Sequence, residues 1–139
     1  MAQATIEFEL VSPERLLLSE PAEMVVMLGT DGYFGVMYGH VAMISSLKAG
    51  VVDVYQDGKI KRQLFVAGGF AEVMAERCTL LAEEAVDVED LNAELLGEQI
   101  KNIQEEIRLA TDALAKKHLE NSLLIAQTKK DAALKLVAA

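Results

Sequence analysis

The sequence predicts two domains: a β-sandwich of short, mainly antiparallel strands over residues 1–86, then an antiparallel α-helical hairpin over residues 87–139. Three observations carry that prediction. Short apolar runs separated by glycine, proline and acidic residues fill the first part, and the dipeptide Asp57-Gly58 sits between two of them. From Asp87 onward Ala, Leu, Glu, Lys and Gln dominate, with no proline and no glycine beyond Gly97. Short runs bounded by turn formers read as strands, Asp-Gly suits a tight hairpin turn, and the last set are strong helix formers.

Taken in order, Ile6, Phe8 and Leu10 alternate with Glu7 and Glu9, the period of a strand with one wet face. Ser12-Pro13-Glu14 ends it. A short run at 16–18 is read as closed by Glu20-Pro21, and a continuous apolar run at 24–28 ends at Gly29. Between residues 29 and 50, glycines at 29, 32, 35, 39 and 50 punctuate apolar runs too short for an ordinary helix. Runs at 51–56 and 61–67 flank Asp57-Gly58, Gly68-Gly69 follows as a break, and runs at 70–74 and 78–82 complete the pattern near Glu84. Strands at this spacing suggest a sandwich or a flattened barrel.

In the second part, Leu91, Leu95, Leu96, Ile100, Ile103 and Ile107 lay an apolar stripe along one amphipathic helix. Asp87, Glu89 and Asp90 fit the negative charge favoured in a first turn. A break falls near Ala110-Thr111-Asp112, where Thr111 or Asp112 is placed to cap a second helix. That helix carries Leu114, Leu119, Leu123, Leu124, Ile125, Leu134 and Leu136 on a broader, less regular face. Its charge is opposite in sign to its neighbour's. Residues 87–112 hold eight carboxylates against Lys101 and Arg108, whereas residues 113–139 hold five lysines against Glu120 and Asp131.

A net charge of −9 argues against general affinity for nucleic acid or anionic lipid, which need a basic footprint. The N-terminal residues lack the basic stretch and apolar core of a secretory signal, and no segment has the ~20 apolar residues that span a bilayer. Cys78, the only cysteine, excludes an intramolecular disulfide and a cysteine-based metal cluster.

Catalytic chemistry finds little support. His40 and His118 fall in different domains, so no joint metal site is expected, and Glu83-Glu84 would point to opposite faces of a strand. The spacing of Gly29, Gly32 and Gly35 matches neither a dinucleotide nor a Walker loop, so these are turn glycines. Cys78 reads as a small core residue. Residue by residue, this is a binding or structural part with no cofactor and no metal.

Three strings in this order resemble the epsilon subunit family of bacterial F-type ATP synthase, the counterpart of the mitochondrial delta subunit. They are Asp31-Gly32-Tyr33-Phe34-Gly35-Val36-Met37-Tyr38-Gly39-His40, then Leu47-Lys48-Ala49-Gly50-Val51-Val52, then Phe65-Val66-Ala67-Gly68-Gly69-Phe70-Ala71-Glu72-Val73 with Thr79-Leu80-Leu81-Ala82-Glu83-Glu84-Ala85. The sequence departs from the pattern at Tyr38, where proline is usual, and at Val41-Ala42, which replace Ala-Pro. The resemblance implies a non-catalytic central-stalk subunit that couples proton flow to ATP synthesis at the cytoplasmic face of the bacterial inner membrane, held there only through partners.

Those partners would be the gamma subunit, the c-ring, and the alpha and beta subunits, the last two through the C-terminal helices. By position, residues 30–40, notably Asp31, Tyr33 and His40, would face the c-ring as one loop. The basic second helix, with Lys116, Lys117, Lys129 and Lys130, would be the regulatory face that restrains ATP hydrolysis. Some members bind ATP through a motif at the start of the first helix; the matching residues here are 88–93, with Asn92 in place of arginine. That substitution implies no tight ATP binding. The rival readings are a free-standing regulatory adaptor and a small enzyme on a β-scaffold.

Overall fold

The computed structural model describes residues 4–138, with side chains through Lys135; Leu136, counted above among the apolar residues of the second helix, lies outside the described side chains. Ten strands come first: β1 (Ile6–Val11), β2 (Leu16–Ala22), β3 (Met24–Gly29), β4 (Gly32–Val36), β5 (Met43–Leu47), β6 (Gly50–Gln56), β7 (Lys59–Val66), β8 (Gly69–Val73), β9 (Arg77–Ala82) and β10 (Ala85–Asp87). A 3-10 turn (Val88–Asp90) precedes helices α1 (Ala93–Leu109) and α2 (Ala113–Ala138). The chain divides into two compact units, one ending at Asp87 and the other beginning at Val88.

The strands follow the order β10-β7-β6-β3-β5-β8-β9-β1-β2, with β4 paired to β3. The sheet becomes two layers at β3. Val25 and Val26 of β3 pair with Val54 and Asp53 of β6, while Gly29 at its far end pairs with Leu47 of β5. The alternation read in β1 places Ile6, Phe8 and Leu10 in the core. They meet Val25 and Met27 of β3, Val52 and Val54 of β6, Val66 of β7, and Cys78 and Leu80 of β9. The ends of the strand order are tied by charge rather than backbone. Glu20 of β2 accepts from Lys61 at 3.4 Å and from Arg62 at 3.1 Å on β7, and Arg62 also lies 3.9 Å from Asp87.

Asp57 and Gly58 have φ of 55° and 74°, the left-handed pair that a type I′ turn requires. Other expectations need correction. The run at 16–18 does not close at Glu20-Pro21: β2 continues to Ala22 and pairs Pro21 with Glu7. An edge strand tolerates proline there because its missing N–H removes no second ladder. Glu83 and Glu84 stand in the bend between β9 and β10 rather than on a strand, and the β-pattern resumes beyond them. Gly69 opens β8 instead of merely breaking it. A Cβ there would lie 1.9 Å from the Leu81 carbonyl oxygen, so the close approach of β8 to β9 demands glycine.

Asp87, at the end of β10, and Glu89 and Asp90, in the 3-10 turn, precede α1 instead of forming its first turn. Asn92 is the N-cap: its Oδ1 accepts from the backbone N–H of Glu94 at 2.9 Å and of Leu95 at 3.2 Å. Of the predicted stripe, Leu96 is buried and Ile100, Ile103 and Ile107 are half-buried, but Leu95 is exposed, because it stands ~100° around the helix from Leu96. Between Thr111 and Asp112, the cap of α2 is Asp112, whose carboxylate accepts from the N–H of Leu114 at 3.4 Å and of Ala115 at 3.3 Å. The broad leucine face of α2 is split: Ala126, Ala132 and Ala133 are buried, while Leu114, Leu124 and Leu134 are exposed.

Candidate interaction surfaces

The sandwich has two ends, defined by its turns. One collects the turns at 12–15, 30–31, 48–49, 67–68 and 83–84; the other collects 37–42, 57–58 and 74–76. Asp31 lies in the first group, in the two-residue connection that pairs Gly29 with Gly32, and Tyr33 beside it is 68% exposed. His40 lies in the second group. Residues 30–40 are therefore not one loop: β4 separates Asp31 from His40, and five strand residues span ~17 Å.

His40 is held locally, its Nδ1 donating to the Val41 carbonyl oxygen at 2.8 Å. The loop that carries it is tied to the β8–β9 turn, where the N–H of Gly39 donates to the Ala75 carbonyl at 2.7 Å. Met37, Tyr38, Val41 and Met74 are exposed around that tie.

Sequence reading missed a second surface. The register pairs Phe70 of β8 with Leu81 of β9, Leu81 with Val11 of β1, and Val11 with Leu16 of β2. These four residues make a row across the outward side of four strands. Phe70 and Leu16 are each 54% exposed and Leu81 is 44% exposed. The row lies next to the Asp31 end, and exposed apolar rows of this kind are candidate docking surfaces. Its two halves lie in the consecutive pairs β8–β9 and β1–β2, and the parallel pairing of β1 with β9, distant in sequence, joins them, so no local pattern exposed it.

Of the lysines expected to form a regulatory face, Lys116 and Lys117 are exposed near the start of α2, whereas Lys129 and Lys130 are half-buried. Twelve residues of helix, ~18 Å, separate Lys117 from Lys129. Lys130 extends over Gly97 of α1, its Nζ 3.5 Å from where a Cβ at that glycine would stand.

Among the described residues no group of three or more His, Cys, Asp or Glu is arranged to hold a metal ion, and no helix is long and apolar enough to cross a membrane. Cys78 is fully buried, and burial pushes its thiol up to about 12, which removes the thiolate a nucleophile needs. An open groove of about 750 Å³ is lined by Glu7, Glu9, Ser19, Met74, Ala75, Glu76 and Arg77. Three of its charges are internally engaged: Arg77 pairs with Glu9 at 3.0 Å and Ser19 Oγ donates to Glu7 at 2.9 Å.

A ten-stranded sandwich followed by a two-helix hairpin is an architecture shared with chains in two solved mitochondrial ATP synthases. In the Euglena gracilis enzyme, resolved as OSCP, F1 and c-ring, the TM-score is 0.80 at 25% identity, covering 93% of this chain and 81% of that one. In the central stalk and c-ring of the Tetrahymena thermophila enzyme it is 0.69 at 16% identity, covering 96% and 99%. Residues 5–88 match the family model for the ATP synthase, Delta/Epsilon chain, beta-sandwich domain. The chain is 48% identical over 131 residues to the ATP synthase epsilon chain of Rhodospirillum centenum, covering 91% of this chain and 90% of that one. It is 47% identical over 127 residues to that of Rhodospirillum rubrum, covering 91% and 94%. The chain belongs to the ATP synthase epsilon chain family.

Proposed function

We propose that this chain is a non-catalytic rotor subunit whose sandwich grips the gamma subunit through the row Phe70, Leu81, Val11 and Leu16. The exposure of that row on a fully packed domain is the observation that carries the reading. A partner covering it would gain apolar burial, with Phe70 as the central aromatic anchor.

In this reading the Asp31 end of the sandwich faces the c-ring, with the exposed Asp31 and Tyr33 in contact. His40, at the opposite end of β4, then stays out of that contact. Attachment to the cytoplasmic face of the inner membrane comes through these partners. The exposed Lys116 and Lys117 supply the charge by which the hairpin meets an acidic surface and restrains hydrolysis.

The test uses a chain cut after Asp87, which keeps β10, alongside the full chain carrying Phe70→Glu and Leu81→Glu. The cut chain is expected to co-purify with gamma and the c-ring while ATP hydrolysis by the assembled enzyme rises. The double variant is expected to lose association by about tenfold or more while staying folded. Normal association of the double variant refutes the row as the grip, and loss of association by the cut chain refutes the division of roles.

A further inference from the structure

ATP-binding members of the family hold nucleotide at the start of the first hairpin helix, and the donor set present here does not fit one. We infer that in this chain Asn92 fixes the start of α1 from within, so that closure of α1 on α2 does not respond to ATP. The inference rests on family membership and not on which surface meets the ring or the shaft.

The geometry is specific. The N–H groups of Glu94 and Leu95 are the donors a phosphate would meet at this helix start, and both already donate to Asn92 Oδ1, at 2.9 and 3.2 Å. The Asn92 carbonyl in turn accepts from the N–H of Leu96 at 3.0 Å. Glu89, Asp90 and Glu94 bring three carboxylates within six residues of chain, which opposes a triphosphate. No arginine lies near this end in sequence. Arg108 is at the last turn of α1, paired with Glu105. Lys130, over Gly97, is a single ammonium without the bidentate fork of a guanidinium. Asparagine ranks with the best N-cap residues, so the helix start needs no ligand to complete it.

Hydrogen exchange at the first turns of α1 in the full chain, with and without millimolar ATP, tests this, with thermal unfolding as a second readout. Exchange and Tm of the wild-type chain are expected to be unchanged by ATP. Asn92→Ala is expected to speed exchange in the first turns about fivefold, the loss of one cap, and ATP should not slow it again. Asn92→Asp, which keeps the accepting oxygen, should restore wild-type exchange. Protection of the wild-type chain by ATP, or a saturable rise in its Tm of more than about 3 °C, overturns the inference. So does an Asn92→Ala chain whose α1 exchange is unaltered. Every readout is on the isolated chain, so failure here is distinguishable from failure of the rotor assignment.

Discussion

The sandwich and the hairpin are held by different amounts of apolar burial. In the sandwich every strand from β1 to β9 contributes to one buried cluster, which includes Phe8, Ile6, Met27 and Leu80 at full burial. In the helices, Leu96, Ala126, Ala132 and Ala133 are the buried residues among those described, and three of these are alanines. Alanine removes little apolar surface from water, so the seam between α1 and α2 gains far less per residue than the sandwich core. Among the described residues five leucines, at 95, 109, 114, 124 and 134, remain exposed on the helices. A densely packed sandwich and a sparsely seamed helix pair are expected to open separately, the helices at the lower free energy.

The sharpest way to break that contrast is to remove the largest core side chain. Phe8→Ala empties a fully buried site between the two layers and is expected to cost about 3–5 kcal/mol in denaturant unfolding. Association with the stalk should fall with it. A cost under about 1 kcal/mol would mean that the core is not the source of the sandwich's stability.

Leu96→Ala probes the other side with a smaller expected effect. Among the described residues Leu96 is the one large side chain buried on α1 and α2, and its truncation should cost about 2 kcal/mol, confined to hydrogen exchange in α1 and α2. Exchange in β1, β3 and β9 should not change. Equal loosening of strands and helices would show one cooperative unit instead of two.

The two parts also differed in how much the sequence disclosed. Asp57-Gly58 announced its hairpin because only a φ-positive pair closes so short a connection, whereas the cap of α2 was narrowed to Thr111 or Asp112 and it is the Asp112 carboxylate that reaches N–H groups two and three residues on. β1 was legible as a strand but its neighbour was not. It pairs in parallel with β9, about seventy residues away, and nothing local encodes that choice. The row Phe70, Leu81, Val11 and Leu16 was hidden because that same pairing joins its two halves. The mixed face of α2 was misread because counting leucines ignores that alanine, being small, is what a close helix seam accepts. Asn92 was noticed for the arginine it replaces, while its capping role needed the helix to begin at Ala93.

Cys78 gives the finest discrimination between the two parts, because the sandwich holds the chain's only thiol and the helices hold none. Burial raises its pKa from 9.0 to about 12, so the unfolded chain loses the proton first as pH rises. Its contribution to stability is flat below pH 9 and declines between 9.0 and about 12, where the folded thiol ionises too. Within that window the wild-type sandwich is expected to lose up to about 1.4 kcal/mol per pH unit more than a Cys78→Ala chain. Equal slopes would refute a buried, neutral thiol. At neutral pH the same burial makes alkylation of Cys78 a report on opening of the sandwich alone. Leu96→Ala should leave that rate unchanged and Phe8→Ala should raise it, so a single reagent separates loosening of the seam from loosening of the core.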